Sequence, residues 1–438
     1  MEIATSVLSE PPRNDVKRHM NYSFLNYKSS EHAAVRTQEY LYNQLFPYIG
    51  NKRKLLPLIF EAIAKTEITQ GLFVDFFSGS GVVSRLAKKL GFQVIANDWE
   101  PYSFLYNHAY IEQNNHPLFG NLGGIKKTYE YLNNLEGVHD YISEYYCPWD
   151  DKNPDVQKER MFFTHKNGMK IDAMRQEIQE WEKRGEINLK EKAILLASFL
   201  YSVSYVSNTS GVFKGFHNGW GGKTGTALYR ILSDIKLTPP VLFNNKQKNK
   251  IYQMDSQVLA EKLSNVGKEK INIAYLDPPY NQHPYGSNYH ILNTIALWDK
   301  PEINKSILVK GKKINKSAIR TDWRTERRSA YNYKKDAIDA LNNLVQTIDS
   351  DFVLLSYSTD GHMDLKDVLE IFACNGKLSM VTKSYKRYRV STPRMSDKPY
   401  NVEIVLILDK NKTSQKGVIK KLWSEFLEQD KWLRKTTN

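Results

Sequence analysis

Residues 71–81 read Gly-Leu-Phe-Val-Asp-Phe-Phe-Ser-Gly-Ser-Gly and decide the fold. A short apolar run that ends in glycines is typical of a buried parallel strand followed by a tight turn. Apolar residues recur at helical spacing before this run, over 55–65, and after it, over 82–90. A second apolar run, from Gln93 to Asp98, ends in an acid. Strand, glycine turn, helix and strand in this order predict a βαβ unit with a right-handed crossover.

Three further apolar runs, over 271–276, 351–357 and 402–408, extend this unit, and a helical pattern over 335–348 precedes the second of them. The sequence therefore predicts an α/β fold with a Rossmann-like, mainly parallel sheet. The stretch 110–245 is too long for a simple connection and is rich in helical patterns, so we expect a mostly helical inserted domain there. The predicted division is an N-terminal arm over 1–40, a core over 41–109, the insertion over 110–245, a second part of the core over 246–410 and a C-terminal helix over 411–438.

The composition of the 438-residue chain favours a basic globular protein, since 41% of its residues are hydrophobic and its formal net charge is +14. This charge favours phosphate backbones as partners, although a solvated basic surface would give the same charge. The only cysteines, Cys147 and Cys374, fit neither a disulfide framework nor a zinc site. No signal peptide and no run of about 18 apolar residues is found. We therefore expect a cytoplasmic protein with no membrane insertion and no bound metal.

The glycine turn and two acids predict an adenosine-binding site. Gly79 and Gly81 let the backbone approach a ligand that a β-carbon would obstruct. Asp98 ends the next strand, where a carboxylate can accept hydrogen bonds from two ribose hydroxyls, and Asp255 is placed to accept from an adenine amino group. Ser84 occupies the place of the third glycine of the dinucleotide fingerprint, which argues against a pyrophosphate-binding loop. Asp98 can also be an ordinary capping residue, and these residues alone do not distinguish a nucleotide from S-adenosylmethionine.

Residues 277–280, Asp-Pro-Pro-Tyr, follow an apolar run and therefore lie at the carboxyl edge of the predicted sheet, where such folds bind ligands. An exocyclic amino nitrogen is a poor nucleophile because its lone pair is delocalised into the ring. The carboxylate of Asp277 and the carbonyl of Pro278 can accept both amino hydrogens and take up the positive charge that develops. Tyr280 can stack on a base extruded from the duplex. The other interpretation is a surface turn, because Asp-Pro-Pro is common in turns.

Together these motifs resemble the alpha class of DNA adenine N6-methyltransferases, of the Dam type. In that class a cofactor-contacting segment, the glycine loop, the target recognition domain and the Asp-Pro-Pro-Tyr segment follow one another, and this chain has the same order over roughly residues 45–410. The first segment corresponds to residues 47–52, in which Tyr48 replaces the usual Trp and Asn51 replaces a glycine. The resemblance implies S-adenosylmethionine as the cofactor, with the ribose at Asp98 and the methionine part along Phe77 and Gly79. The full set of predicted cofactor contacts is Tyr48, Lys52, Asp75, Phe77, Gly79, Gly81, Asp98, Asp255 and Asp277.

Three stretches are predicted to contact DNA. Residues 205–225 look like the family's DNA-contacting hairpin, because glycines are mixed there with aromatic, basic and amide side chains. Basic residues are in surplus over 301–335 and over 383–398. The first surplus includes arginines spaced as on one helical face: Arg320, Arg324, Arg327 and Arg328. In the second, Arg387 and Arg389 alternate as in a strand. A mobile loop and solvated faces remain the other interpretations. The predicted DNA-binding residues are Lys214, His217, Asn218, Trp220, Lys223, Arg324, Arg328, Arg387 and Arg389.

We therefore interpret the chain as a site-specific enzyme that methylates N6 of adenine in a short duplex DNA sequence, within a bacterial restriction-modification system. The expected partners are double-stranded DNA at the nucleoid and a separately acting restriction endonuclease, and a monomer is favoured. N4-cytosine methylation uses the same geometry, but that group usually has Ser in place of Asp277. RNA adenine methylation is a further alternative. Protein glutamine methylases typically carry Asn at this position, and a non-enzymatic DNA-binding protein has no use for the carboxylate.

Overall fold

The computed structural model describes residues 38–266, 270–309, 311–313, 316–359, 361–386 and 400–435. Within them the strands are β1 Leu72–Asp75, β2 Gln93–Asn97, β3 Lys250–Tyr252, β4 Ile271–Leu276, β5 Leu308–Val309, β6 Lys312–Lys313, β7 Ser350–Ser358, β8 Lys377–Lys386 and β9 Tyr400–Asp409. The α-helices are α1 Leu56–Lys65, α2 Val82–Leu90, α3 Pro101–Asn107, α4 Ile125–Asn134, α5 Tyr141–Tyr146, α6 His165–Lys183, α7 Leu189–Val206, α8 Leu228–Ile231, α9 Ser256–Val266, α10 Tyr285–Asn288, α11 His290–Leu297, α12 Lys334–Thr347, α13 Leu365–Cys374 and α14 Val418–Lys435.

In the described part of the chain, β1 and the central strand β4 are neighbours in a seven-stranded sheet with the order β3-β2-β1-β4-β7-β9-β8. The first five strands of this order pair in parallel, whereas β9 pairs antiparallel with both β7 and β8. The α/β class and the mainly parallel sheet are therefore confirmed. The sequence pattern did not predict β8, because lysines interrupt its apolar alternation and its pairing with β9 determines its conformation.

The winding of the sheet reverses between β1 and β4. From β1 the chain moves outward to β2 and β3, and it then returns to β4 on the other side of β1. Asp75 is the register partner of Tyr275, and the Phe76 N–H donates to the Tyr275 carbonyl at 3.1 Å. Such a reversal leaves a crevice beyond the carboxyl ends of the two strands. The glycine turn and the Asp-Pro-Pro-Tyr segment therefore meet at this crevice.

Both faces of the sheet are covered by helices, as expected for strands that are apolar throughout. Phe73 packs into one apolar cluster, whereas Leu72 and Val74 pack into another. The first cluster also contains buried residues of the inserted helices, among them Met174 and Leu196. The insertion therefore shares a hydrophobic core with the sheet. Among the residues that the structure describes, none of the helices combines the length and the apolar character that a membrane crossing requires.

Candidate active site

The turn after β1 holds two glycines in left-handed conformations, with φ of +50° at Gly79 and +74° at Gly81. A β-carbon on Gly79 would lie 2.7 Å from Cε1 of Tyr48, and one on Gly81 would overlap the side-chain oxygen of Asn107. Backbone strain and lack of space therefore both exclude side chains here. The glycines allow the turn to lie directly against the Tyr48 ring.

The carboxylate of Asp75 lies beneath this turn. It accepts hydrogen bonds from the Ser84 hydroxyl at 2.6 Å and from the Phe77 N–H at 3.3 Å. Burial raises the pKa of Asp75 to about 7, and the two hydrogen bonds limit the rise. Asp75 and Gly81 do not line the crevice. The structure thus gives both residues a supporting position, where the sequence predicted direct ligand contacts.

Asp98 lies at the carboxyl end of β2, on the crevice. One of its carboxylate oxygens accepts from the Gly79 N–H at 2.7 Å, and the other accepts from the Glu100 N–H at 2.9 Å. Burial raises the pKa of Asp98, and these hydrogen bonds oppose the rise. Sequence reasoning overlooked its buried neighbour Asn97, whose amide donates to a carbonyl in each of the loops after β1 and β3, both at 3.1 Å. Asn97 therefore fixes the two loops relative to each other.

The half-buried Asp277 and the buried Lys52 form an ion pair at the end of β4. Nζ of Lys52 lies 2.7 Å from Oδ1 of Asp277 and 5.3 Å from the centre of the Tyr280 ring, and it donates to the Gly50 carbonyl at 3.1 Å. Burial raises the pKa of Asp277, and Lys52 opposes this rise. Burial also disfavours the ammonium of Lys52, but the acidic groups around it, Asp277 first, hold its pKa well above the usual value. Lys52 and Asp277 therefore each favour the charged form of the other, against the effect of burial.

Aromatic rings surround this ion pair. The Tyr280 ring meets the Tyr357 ring edge-on, with centroids 5.8 Å apart and an interplanar angle of 75°. The Tyr48 ring stacks against both Tyr285 and Tyr289, with centroids 5.0 Å apart in each pair, and the rings of Tyr285 and Tyr289 also stack on each other at 6.1 Å. Such rings form a rigid apolar wall beside the Asp277 carboxylate. Tyr285 and Tyr289 had not been predicted as site residues.

The crevice opens into a cavity formed by residues of the loops after β1, β2, β3 and β4. Five predicted ligand contacts line it: Tyr48, Phe77, Asp98, Asp255 and Asp277. Other predicted contacts are adjacent to the cavity without lining it: Lys52, Asp75, Gly79 and Gly81. The carboxylates on the described part of its wall are Asp98, Glu100, Asp255 and Asp277, against one guanidinium, Arg327. Such a wall favours a ligand that carries positive charge and hydrogen-bond donors.

One side of the cavity consists of residues that the sequence did not identify as cavity residues: Arg327, Ser329, Tyr331 and Asn332. The Tyr331 ring meets the Phe77 ring edge-on, with centroids 5.2 Å apart. The Asn332 amide donates to the Asn281 carbonyl at 2.8 Å, just after the Asp-Pro-Pro-Tyr segment. Residues 327–332 therefore bridge the turn after β1 and the loop after β4.

The predicted helical face of four arginines is wrong, because residues 320–332 contain only short 3-10 turns. Arg320 and Arg327 are buried ion-pair partners, whereas Arg324 and Arg328 are exposed. Helical spacing alone could not separate the two kinds, since two of the acidic partners, Glu100 and Asp299, lie outside this segment of the sequence.

Residues 205–225 do not form the predicted hairpin, whereas the DNA contacts predicted for them stay a prediction. Helix α7 continues to Val206, and an irregular loop with one 3-10 turn, Gly222–Thr224, follows it. The buried amide of Asn208 donates to the carbonyls of His217 and Gly219, at 3.1 and 3.3 Å. The His217 N–H also donates to the Asn208 carbonyl at 3.1 Å, so the side chain and backbone of one residue close the loop without a pair of strands.

The predicted DNA-binding residues differ in their exposure. Lys214, Asn218 and Lys223 are exposed, and His217 is partly buried. The indole N–H of Trp220 donates to the Asp151 carbonyl at 2.9 Å, which places this side chain in the support of the loop. The remaining two predicted residues, Arg387 and Arg389, lie outside the described residues.

The sequence matches one protein-family model and is similar to several known methyltransferases. A family model described as D12 class N6 adenine-specific DNA methyltransferase matches residues 48–359. The type II methyltransferase M.NlaIII of Neisseria lactamica is 33% identical over 348 residues, which cover 78% of this chain and 92% of that protein. The type II methyltransferase M.FokI of Planomicrobium okeanokoites is 33% identical over 346 residues, covering 78% of this chain and 48% of that protein. The modification methylase StsI of Streptococcus sanguinis is 29% identical, covering 84% of this chain and 53% of that protein, so the chain spans about half the length of these two relatives.

Proposed function

Since the chain belongs to the D12 class N6 adenine-specific DNA methyltransferase family, we propose that it transfers the methyl group of S-adenosylmethionine to N6 of adenine in a short sequence of duplex DNA. One observation carries this proposal. The half-buried carboxylate of Asp277 follows β4 at the reversal of the sheet, precedes two prolines and a tyrosine, and faces the same cavity as Asp98.

The residues of the cavity fit S-adenosylmethionine, which supplies an electrophilic methyl group when bound. Its sulfonium, amino groups and ribose hydroxyls suit a wall rich in carboxylates. A carboxylate offers about four acceptor sites, so Asp98 retains capacity for ribose hydroxyls after accepting from two N–H groups. We assign Asp255 to the adenine amino group, and Phe77 with the turn at Gly79 to the methionine part. Tyr48 closes the cavity on the side of that turn.

Asp277 and Pro278 provide acceptors for the target amino group. Accepting both hydrogens directs the nitrogen lone pair toward the methyl group and stabilises the positive charge that forms on the nitrogen. Only an ionised Asp277 can do this fully, and the ion pair with Lys52 favours the ionised form. We therefore assign Lys52 to the positioning of Asp277, in place of the cofactor contact expected from sequence.

Tyr280 is assigned to the target base. The base must leave the duplex to reach Asp277, and a ring two positions after Pro278 offers a surface on which it can stack. The Tyr280 ring is already fixed by Tyr357 on one side and by the Lys52 ammonium on another. A ring held in this way loses little conformational entropy when the base binds.

We assign duplex binding to exposed groups near the catalytic loop. The Lys214 ammonium lies 3.5 Å from Nδ1 of His283, three residues after Tyr280, so the loop over 207–225 adjoins the catalytic segment. Exposed lysine and amide groups on this loop suit phosphates and base edges. Arg324 and Arg328 are assigned to phosphates on the same grounds.

The biological role that we propose is host protection within a restriction-modification system. Its support is that the relatives carry the names type II methyltransferase and modification methylase. A modification enzyme of this kind needs no permanent complex with its endonuclease. We therefore propose a monomer that acts separately from a cognate endonuclease in a bacterial cytoplasm.

The test is incubation of the purified protein with tritiated S-adenosylmethionine and unmethylated bacterial DNA, followed by digestion to nucleosides and chromatography. Label is expected in N6-methyldeoxyadenosine. Label in N4-methyldeoxycytidine would place the enzyme with the cytosine methyltransferases. Label in RNA or protein would contradict DNA as the substrate.

A further inference from the structure

Four arginines between residues 320 and 328 face in two directions. The side chains of Arg320 and Arg327 are only 8% and 10% exposed, whereas Arg324 and Arg328 are exposed. A buried guanidinium needs acceptors for its hydrogen bonds, because desolvation of an unpaired charge is costly, and carboxylates supply them to Arg320 and Arg327. The inward pair and the outward pair therefore serve different purposes.

The two inward-facing arginines belong to a network of ion pairs that extends to the cavity wall. Arg320 donates to both carboxylate oxygens of Asp299 at 2.7 Å and also binds Asp322 at 2.9 Å. Arg327 binds Asp322 at 2.7 Å, and its Nε lies 3.8 Å from Oε2 of Glu100. Two arginines thus share one aspartate, and a third carboxylate, Glu100, connects this network of ion pairs to the cavity wall.

Glu100 lies two residues after Asp98, next to the ribose position. Its carboxylate accepts a hydrogen bond from the Asn293 amide of α11, and burial raises its pKa to about 7, against the opposing effect of Arg327. Asp98 and Asp322 are the acidic groups that act with burial to raise it. Arg327 therefore neutralises negative charge where the cofactor's adenosine is expected to bind.

The same network of ion pairs holds a segment across the cavity. Ser329, Tyr331 and Asn332 follow Arg327 within five residues and line the cavity, and the Tyr331 ring packs edge-on against the Phe77 ring of the turn after β1. Nε of Arg327 is itself buried, and no residue in the described part of the chain accepts a hydrogen bond from it. This donor suits a ligand acceptor, because buried donors are rarely left unsatisfied.

We propose that Arg327 is a positioning residue for the methyl donor: by binding Asp322 and Glu100 it holds residues 327–332 against the adenosine end of the cavity. The inference rests on the proposed use of S-adenosylmethionine. Of the four arginines over 320–328, the inward-facing Arg320 and Arg327 then support the cofactor site. The exposed Arg324 and Arg328 are left to contact DNA phosphates.

The test compares Arg327→Gln and Arg327→Lys with Arg328→Gln, a change one residue further along on the exposed side. Equilibrium dialysis with labelled S-adenosylmethionine gives the cofactor Kd without DNA, and steady-state kinetics give the KM for cofactor and for DNA separately. Arg327→Gln is expected to raise the cofactor Kd and KM about tenfold or more, because it leaves buried acids unpaired. The KM for DNA is expected to change by less than about twofold.

Two further results separate positioning from general support of the fold. Arg327→Lys keeps the charge and is expected to restore most of the cofactor affinity, whereas Arg328→Gln leaves the cofactor Kd at the wild-type value. Equal losses for cofactor and DNA in Arg327→Gln, together with a lower Tm, would overturn the proposal. An unchanged cofactor Kd in Arg327→Gln would overturn it as well.

A milder variant covers the case in which Arg327→Gln does not fold. Asp299 is 38% exposed, so Asp299→Asn loosens Arg320 without burying an unpaired charge. A rise of about twofold to threefold in the cofactor Kd supports the proposal, and no rise contradicts it. If the wild-type protein itself binds no S-adenosylmethionine, the proposed function fails; if it binds and every variant binds equally, only the role of Arg327 fails.

Discussion

At the carboxylate of Asp277, burial and Lys52 act on one pKa in opposite directions. Burial favours the neutral acid, which can accept only weakly from an amino group, and the ammonium 2.7 Å away favours the anion. The chemistry proposed for Asp277 depends on this balance, because the anion is the form that stabilises positive charge on nitrogen.

The first prediction concerns Asp277 itself. Asp277→Asn keeps the shape of the side chain but removes its negative charge, so kcat is expected to fall at least about 100-fold. Binding of S-adenosylmethionine, measured by equilibrium dialysis, should stay detectable because Asp98 and Asp255 are unchanged. Turnover close to the wild-type rate in this variant would refute the role of Asp277.

The second prediction concerns the pH dependence of kcat. Lys52→Gln removes the charge that opposes the effect of burial, so the pKa of Asp277 rises further. The ionised fraction is then lost at a higher pH, and the acidic limb of the pH profile moves upward. Lys52→Arg keeps the charge and serves as the control. An acidic limb that stays in place in Lys52→Gln would show that Lys52 does not act through Asp277.

Single residues at strand ends could be predicted because the sequence immediately before them indicates a strand. Asp98 and Asp277 each follow an apolar run directly, and parallel strands bring such positions to one edge of the sheet. The pairing of Arg327 with Glu100 could not be predicted, since more than 200 residues separate them in the sequence. The supporting role of Asp75 was missed for a different reason: its partner Ser84 is only nine residues away but looks like any helical serine.

At the scale of elements, the turn after β1 provides the third prediction. Gly79→Ala places a β-carbon at positive φ and within 2.7 Å of the Tyr48 ring, so the ring must move. Gly91→Ala, at φ of +98° with open space around it, is the matched control for strain alone. Both variants should lose about 1–2 kcal/mol of stability in denaturant unfolding, but only Gly79→Ala should raise the KM for S-adenosylmethionine. Equal cofactor KM values for the two variants would contradict the role of this turn.

Helices and strands with a clear periodic pattern of apolar residues were predicted well. Segments whose conformation depends on contacts with distant residues were not. Helix α2 and strand β4 match their predicted bounds, because glycines or charged residues flank a clear apolar pattern. Strand β8 depends on β9, and the loop over 207–225 depends on the amide of Asn208 rather than on a hairpin. Helical spacing of arginines over 320–328 was misleading because ion pairs shape that segment.

At the scale of the whole molecule, the inserted helices and the sheet share one hydrophobic core. The loop over 207–225, for which we propose DNA contacts, follows one of these helices directly and adjoins the segment after Asp277. This arrangement suits an enzyme that must bring one base of a chosen sequence to one carboxylate, because small displacements of a reacting group are costly in rate.

The fourth prediction tests whether Arg324 and Arg328 contact DNA phosphates directly or only add to the net charge of the protein. The double variant Arg324→Gln/Arg328→Gln should weaken DNA binding and lower the slope of log K against log salt by about 2. Lys270→Gln/Lys412→Gln removes the same charge at the opposite edge of the sheet, before β4 and after β9, and serves as the control. Equal slopes for the two double variants, measured by fluorescence anisotropy, would contradict a phosphate-binding role for Arg324 and Arg328.

The central claim is that this chain methylates N6 of adenine in one short duplex sequence and that Asp277 is required. Single-molecule sequencing of DNA from a methylation-deficient bacterial host that expresses the wild-type chain or Asp277→Ala tests it most directly. N6-methyladenine is expected at a single recurring sequence in the host that expresses the wild-type chain and at no sequence in the host that expresses Asp277→Ala. N4-methylcytosine, or modified adenine that persists in the variant, would contradict it.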